Sequence, residues 1–460
     1  MELRIDRQAM VPVVQQIVDA LACWLRRSEI EPGTRLPSAR QIARVNLLSQ
    51  VSVVEACERL VAQGMLVPRH GAGFVVATPA LVAADSPWSE GTEVNSLSRE
   101  GELPLGSGGL PESWRETDDL SYAIREVSRT DMAALFNYST PLGLRALRQQ
   151  ILKRLRLLDI AAEESRIMTT AGASQGLDLI VRTLLKPGDC VVVESPGYSL
   201  LFELLRLRGV NMLEVPRTPR GPDIEALTVL LRENKPRALF INSFYHNPTG
   251  SSLAPAVAER VLQLAKTHGA LVIEDDVYAD LHSGLGVRLA ALATDDNVIY
   301  LGSYSKILSS SLRVGFVVAG TEVISRLAEV KRISSLGTSG FCESVLACLL
   351  ASGAYRKLVL RLRQRLSGDR EAALQMLEDA EWEVFGKPVG GLFIWARSRK
   401  SDYAHLRIQA RRHGVLLSCA TAFSPAGEAG DWQRINVAYA CDPRARAFFQ
   451  ATALDRPQAF

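Results

Sequence analysis

Beyond residue 100, short apolar runs of strand length alternate with stretches of helical period. The runs are Arg166–Thr169, Cys190–Glu194, Arg237–Ser243, Gly269–Glu274 and Val298–Leu301. Such alternation constrains the chain to an α/β fold with a mainly parallel sheet. Ligands of such sheets sit beyond the carboxyl ends of the strands. The residues that follow each run are therefore the informative ones.

The run Val298–Leu301 ends in Gly302 and Ser303, and Lys306 then stands beside Ser303 and Ser305, with Arg313 seven residues further on. A lysine just past a buried strand can be held desolvated, which lowers its pKa and frees its amine to condense with an aldehyde. Serine and arginine donors bind phosphate, arginine through two bonds. An imine-forming lysine beside a phosphate cradle points to pyridoxal 5′-phosphate (PLP).

The other strand ends fit the same ligand. After Thr169, Ala171-Gly172-Ala173-Ser174-Gln175 opens a helix whose N–H groups can close on a phosphate. Tyr198, after Ser195-Pro196-Gly197, can stack on an aromatic ring. Asn247, in Asn247-Pro248-Thr249-Gly250, can donate to a phenolate oxygen, and Tyr278 can share it. Asp275, aimed at a pyridine nitrogen, would keep that nitrogen protonated and the ring an electron sink. Taken singly, these residues equally suit a helix cap or a packed tyrosine.

Their order joins them. Ser174, Tyr198, Asn247, Asp275, Tyr278, Lys306 and Arg313 stand in the sequence and spacing of fold-type I PLP enzymes. From Pro104 to about Tyr439 the chain resembles the class I/II aminotransferases, in the branch with EDDxY and seven residues from lysine to arginine. The resemblance implies that Lys306 forms the Schiff base, Asp275 pairs with the pyridine nitrogen, and Asn247 and Tyr278 hold the phenolate. Tyr198 would stack on the ring, and Ala173, Ser174, Ser303, Ser305 and Arg313 would bind the phosphate. It further implies that Tyr138 reaches the phosphate of a partner subunit in a homodimer, and that Arg434, in RINVAY, clamps an α-carboxylate. Two positions depart from the pattern. Ser310, in a triple serine, replaces the proline usual four residues after the lysine, and Ala173 replaces a frequent serine.

The first eighty residues read differently. Val13, Val14, Ile17, Val18, Leu21, Trp24 and Leu25 recur at helical spacing. Glu31-Pro32-Gly33 makes a turn, Ser38 suits the cap of a second helix, and Ser49 that of a third with Val53, Ala56, Cys57, Leu60 and Val61 inward. Gly64 stops it, and the strands Leu66-Val67 and Phe74–Val76 flank the tip Arg69–Gly73. Three helices and a hairpin with a basic, glycine-rich tip make a winged helix-turn-helix. The PG-x-x-LPS-x-R run and the wing resemble the DNA-binding domain of GntR-type regulators.

That resemblance implies a third helix in the major groove with Ser49, Gln50 and Ser52 facing double-stranded DNA. Arg40 would grip phosphate, and Arg69, His70 and Gly71 would reach the minor groove. Gln50 stands where the family usually has arginine, so adenine rather than guanine is the base it suits. Residues 1–77 hold nine arginines, no lysine and seven acids, an excess of two positive charges. The DNA assignment therefore rests on the motif and not on charge.

Residues 78–101, rich in Pro, Ser, Gly and Glu without a period, read as a flexible linker. The expected domains are a DNA-binding domain over 1–77, this linker, and an aminotransferase-like α/β domain over 102–460. The seven cysteines form no CxxC or metal-like cluster, so they are expected to be reduced, and no metal is expected. The opening MELRIDRQAM has no apolar core of a signal peptide, and no apolar run approaches the ~20 residues that span a bilayer. A cytoplasmic location without a membrane partner is expected.

A GntR-type reader linked to an aminotransferase-like domain resembles the layout of MocR regulators over essentially the whole chain. The resemblance implies a head-to-tail homodimeric transcription factor. Its large domain would sense PLP, or a small amine or amino acid that displaces Lys306. The alternative is a catalytically active aminotransferase that carries a DNA-binding domain.

Overall fold

The computed structural model describes residues 3, 5, 13–27, 34–62, 66–69, 73–76, 101–114, 118–130, 136–281, 287–428 and 430–454. The chain divides into two compact units, Met1–Ser89 and Glu90–Phe460. Most of the stretch read as linker, residues 78–100, lies outside the described residues, as do His70 and Gly71.

The first unit comprises α1 (Val13–Arg27), α2 (Ala39–Val45), α3 (Gln50–Ala62) and a hairpin of β1 (Leu66–Arg69) and β2 (Gly73–Val76). Ser38 Oγ accepts from Gln41 N–H, as a capping serine does. Ile17, Leu21, Ile42, Val53, Ala56 and Leu60 close one core between the three helices, which the helical spacing of the sequence foretold. The strand segment at Arg35 pairs with Val75 beside the hairpin.

The second unit is built on an eight-stranded sheet. Its strands in chain order are β3 (Ile167–Thr170), β4 (Cys190–Ser195), β5 (Asn211–Thr218), β6 (Gly221–Pro222), β7 (Ala238–Asn242), β8 (Leu271–Asp275), β9 (Val298–Ser303) and β10 (Gly315–Val318). Their spatial order is β3-β10-β9-β8-β7-β4-β5-β6. The central strands β9, β8, β7, β4 and β5 are parallel, whereas β10 runs against both its neighbours and β6 against β5. The fold is the mixed sheet expected of a fold-type I chain.

Neighbouring residues of β4 show why both faces of this sheet are covered. Val191 and Val193 enter one core with Ile180, Phe202 and Leu205, whereas Val192 enters another with Leu231, Val261 and Leu264. Side chains alternate across a strand, so an uninterrupted valine run needs helices on both sides. α4 (Asp118–Thr130) packs on a later helix, and those on the sheet are α5 (Arg145–Arg156), α6 (Ala173–Leu184), α7 (Ser199–Arg208), α8 (Ile224–Asn234), α9 (Pro255–His268) and later helices. Toward the C-terminus a smaller antiparallel sheet forms from β11 (Trp382–Val384), β12 (Phe393–Ser398) and β13 (Gln433–Asn436).

The segment Leu103–Leu110 lies along this smaller sheet. Leu103 N–H donates to Gly414 O, Leu416 N–H to Leu103 O, and Asn436 N–H to Leu105 O. Gly101, at the expected end of the linker, has its carbonyl bound by Arg444 Nη1 at 2.8 Å.

Candidate functional site

Because β4, β7, β8 and β9 are parallel, Tyr198, Asn247, Asp275 and Lys306 follow strand ends on the same edge of the sheet. They surround a cavity of about 690 Å³. Ala173, Ser174, Tyr278, Ser303, Ser305 and Arg313 line it too, so every cofactor residue read from the sequence except Tyr138 meets there. Tyr138 is 87% exposed and lies elsewhere on the unit.

At one end of the cavity the donors suit an anion. Helix α6 begins after Gly172 with no side chain capping it, so its first N–H groups and the positive end of its dipole are available. Arg313 holds a left-handed backbone, φ +50°, and its Nη2 donates to Ala171 O at 3.2 Å. A β-carbon on Gly172 would stand 2.5 Å from that Nη2. Gly172 is needed for this approach as well as for its own φ of +81°. Ser305 N–H donates to Ser303 Oγ at 3.2 Å, whereas the buried Ser305 Oγ has no partner among the described residues. A buried hydroxyl without a partner is costly unless a ligand supplies one.

At the other end Asp275 terminates β8, with Oδ1 accepting from Val277 N–H at 3.2 Å. Burial pushes its carboxyl up to about 7, and Lys306 opposes this only in part. Such a group is readily ionised by a cationic partner. Lys306 Nζ reaches Gly108 O at 3.2 Å, which places the tip Ser107–Leu110 on the cavity wall. Phosphate-seeking donors, a primary amine and a buried carboxylate thus converge in a cavity with an aromatic side, Tyr198. The set fits a phosphorylated pyridine aldehyde.

Arg434 is placed differently from the other site residues. It is 1% exposed on β13, with its guanidinium 4.8 Å from the ring of Phe393 and 4.9 Å from that of Phe423. Nε and Nη2 donate to Gly106 O at 3.0 and 2.7 Å, and Nη1 donates to Asn247 Oδ1 at 2.8 Å. It stands behind Asn247 instead of on the cavity wall.

Sequence reading missed the layer under the cavity. Asn242, the last residue of β7, accepts Asn247 N–H on Oδ1 at 2.9 Å and donates through Nδ2 to Asp275 O at 2.8 Å. It therefore fixes the backbone of two site residues at once. Glu194 in turn accepts Asn242 N–H at 2.8 Å and the Arg217 guanidinium at 2.5 Å. Burial and the neighbouring Arg217 push the His246 imidazole well down, so its 3.5 Å approach to Glu194 is that of a neutral ring. An asparagine ending the apolar run Ala238–Asn242 was the one available signal.

In the first unit Arg40, Ser49 and Gln50 are exposed, whereas Ser52 is half-buried. Arg69 ends β1, and its side chain lies outside the described residues. The triple serine is not idle: Ser309 Oγ accepts Ser311 N–H at 3.2 Å, and Ser310 O accepts from Arg313.

Residues 100–446 match the family "Aminotransferase class I and II", and residues 13–76 match "Bacterial regulatory proteins, gntR family". The uncharacterized HTH-type transcriptional regulator YdfD of Bacillus subtilis is 29% identical over 94% of this chain and 93% of its own length. The 2-aminoadipate transaminase of Thermus thermophilus is 33% identical over 63% of this chain and 73% of its own. The crystal structure of LysN, an α-aminoadipate aminotransferase from Thermus thermophilus complexed with N-(5′-phosphopyridoxyl)-L-leucine, superposes with a TM-score of 0.72 at 26% identity. It covers 78% of this chain and 95% of that one. The chain therefore belongs to the class I and II aminotransferase family and joins to it an N-terminal domain of the gntR family, the pairing of MocR-type regulators.

Proposed function

We propose that this protein is a transcriptional regulator in which PLP, held covalently by Lys306, controls binding to an operator. The observation that carries the reading is a cavity lined by the residues that would hold PLP, in a chain that also carries a gntR-family domain. When bound, PLP supplies an electrophilic carbon for amines and a ring that withdraws electrons. The protein's part is to bind, orient and exclude water. The first turn of α6, with Ala173 and Ser174, would hold the phosphate together with Ser303, Ser305 and Arg313. Asp275 would hold a proton at the pyridine nitrogen, Asn247 and Tyr278 would donate to the phenolate, and Tyr198 would cover the ring.

Tyr138, exposed on its own subunit, would reach the phosphate of a partner in a head-to-tail homodimer. A small amine or amino acid would be the second ligand. Its carboxylate would compete at Arg434 with Gly106 O and Asn247 Oδ1. Ligand-dependent populations of two arrangements would then alter operator affinity through half-site spacing. A coupling of about 1–3 kcal/mol suffices.

The test is binding of the full-length protein to DNA upstream of its own gene, after PLP is stripped and again after reloading. A PLP-dependent change in affinity or footprint, absent in Lys306→Ala, is expected. Equal affinity in all four states, with added amines also without effect, would sink the reading. The second reading, a working aminotransferase, is favoured by Lys306, Asp275, Asn247 and Tyr278 meeting at one cavity, and sustained keto-acid production from an amino acid would establish it.

A further inference from the structure

The first turn of α3 carries side chains that a general grip on phosphate does not need. Gln50 opens the helix and is exposed, and Val51 follows it, 75% exposed. Leu47, in the turn before, is 80% exposed. The other exposed large apolar side chains described in this unit reach at most 51%. Among the described residues α3 packs through Val53, Ala56, Cys57 and Leu60, and Val51 takes no part in that core.

The same face of α3 turns acidic beyond its first turn. Glu55 and Glu58, four and seven residues after Val51, are both exposed, and Glu55 is paired with Arg59 at 2.8 Å. Phosphates repel carboxylates, and among the described residues only Glu55 is offset, by Arg59, so the N-terminal end of the helix is the end suited to approach a duplex. Arg40 and Arg44 on α2 are exposed and carry the positive charge for the backbone.

We infer that the first turn of α3 reads adjacent A·T pairs, Gln50 through adenine and Val51 through the thymine methyl. Adenine shows an acceptor, N7, and a donor, N6–H, in the major groove, which one carboxamide matches with two bonds. Thymine alone presents a methyl group there, and a branched apolar side chain is its complement. A side chain that contacts a methyl loses nothing by lacking a hydrogen-bonding group. This inference rests on the DNA-binding reading above and narrows it to base identity.

The experiment selects duplexes from a random-sequence pool with the full-length, PLP-loaded protein and then edits single atoms of the selected site. Replacing the thymine by deoxyuridine removes only the methyl. Replacing the adenine by 7-deazaadenine removes only N7. Selected sites are expected to share an A·T step. Deoxyuridine should weaken the wild-type protein about three- to ten-fold and leave Val51→Ala indifferent. The 7-deaza base should weaken it about ten-fold or more and leave Gln50→Ala indifferent. An enriched site with G·C at these pairs, or full affinity on the edited duplexes, would overturn the inference while DNA binding stands. A pool without any enriched sequence would overturn the DNA reading as well. Val51 is exposed, so unchanged melting of Val51→Ala confirms that the variant is folded.

Discussion

The Arg434 guanidinium donates to Asn247 Oδ1 at 2.8 Å, and this bond settles which end of the Asn247 amide is turned to the cavity. With the oxygen committed to arginine, the NH₂ end is the one left to donate. Asn242 fixes the backbone of the same residue from below. Asn247 is thus held from two sides as a donor.

Arg434→Lys is therefore expected to weaken PLP itself several-fold, with no amine present, because an ammonium lacks the planar fork that binds Gly106 O through two nitrogens and Asn247 Oδ1 through the third. Equilibrium dialysis of the stripped protein against PLP measures this. A residue that served only a ligand's carboxylate would leave PLP uptake unchanged.

Ser305 Oγ is buried without a partner among the described residues, so its cost is relieved only by a bound anion. Ser305→Ala should leave the melting temperature of the PLP-free protein unchanged or slightly raised. PLP affinity should fall by about 1 kcal/mol, roughly five-fold. A clear loss of stability in the PLP-free protein would mean that the hydroxyl serves the fold.

The Asp275 carboxyl, pushed up to about 7 by burial, sets a pH dependence. Between the ordinary carboxylate range near 4 and this value, the folded protein without cofactor keeps a proton that the unfolded chain has lost. Stability therefore falls as pH rises through that window, and the penalty is complete above about 7. Asp275→Asn removes it. The PLP-free variant should melt a few degrees (~3 °C) above wild type at pH 8 and equal to it at pH 4, and it should bind PLP far more weakly. Equal melting at pH 8 would place the carboxylate in a well-solvated setting.

Why some of this was legible in the sequence and some not follows from the range of the interactions. Lys306, Asp275 and Asn247 announce themselves because each follows an apolar run that can only be a buried strand. The helices of the first unit were legible from the spacing of Ile17, Leu21, Val53 and Leu60. Asn242, Glu194 and Arg217 were not, since their bonds run between strands whose order no local pattern encodes. Arg434 stands out in RINVAY as an expected carboxylate clamp, but its attachment to Gly106, 328 positions away, exists only once the chain is folded.

A second long-range attachment holds the segment that follows Gly106. Asn436 Nδ2 holds Ser107 O at 2.9 Å and Gly109 O at 2.7 Å, next to the Gly108 carbonyl that Lys306 contacts. We propose that this segment, which follows the stretch read as linker, carries a shift at Lys306 toward the gntR-family domain. Asn436→Ala leaves those carbonyls without their donor and should cost about 2 kcal/mol of stability. Operator affinity of the PLP-free protein should be unchanged, while the PLP-induced change in affinity shrinks. Titrations of the same duplex with stripped and reloaded variant separate the two quantities. A full PLP response in the variant would place the coupling elsewhere, because the segment would then be loosened without consequence for the signal.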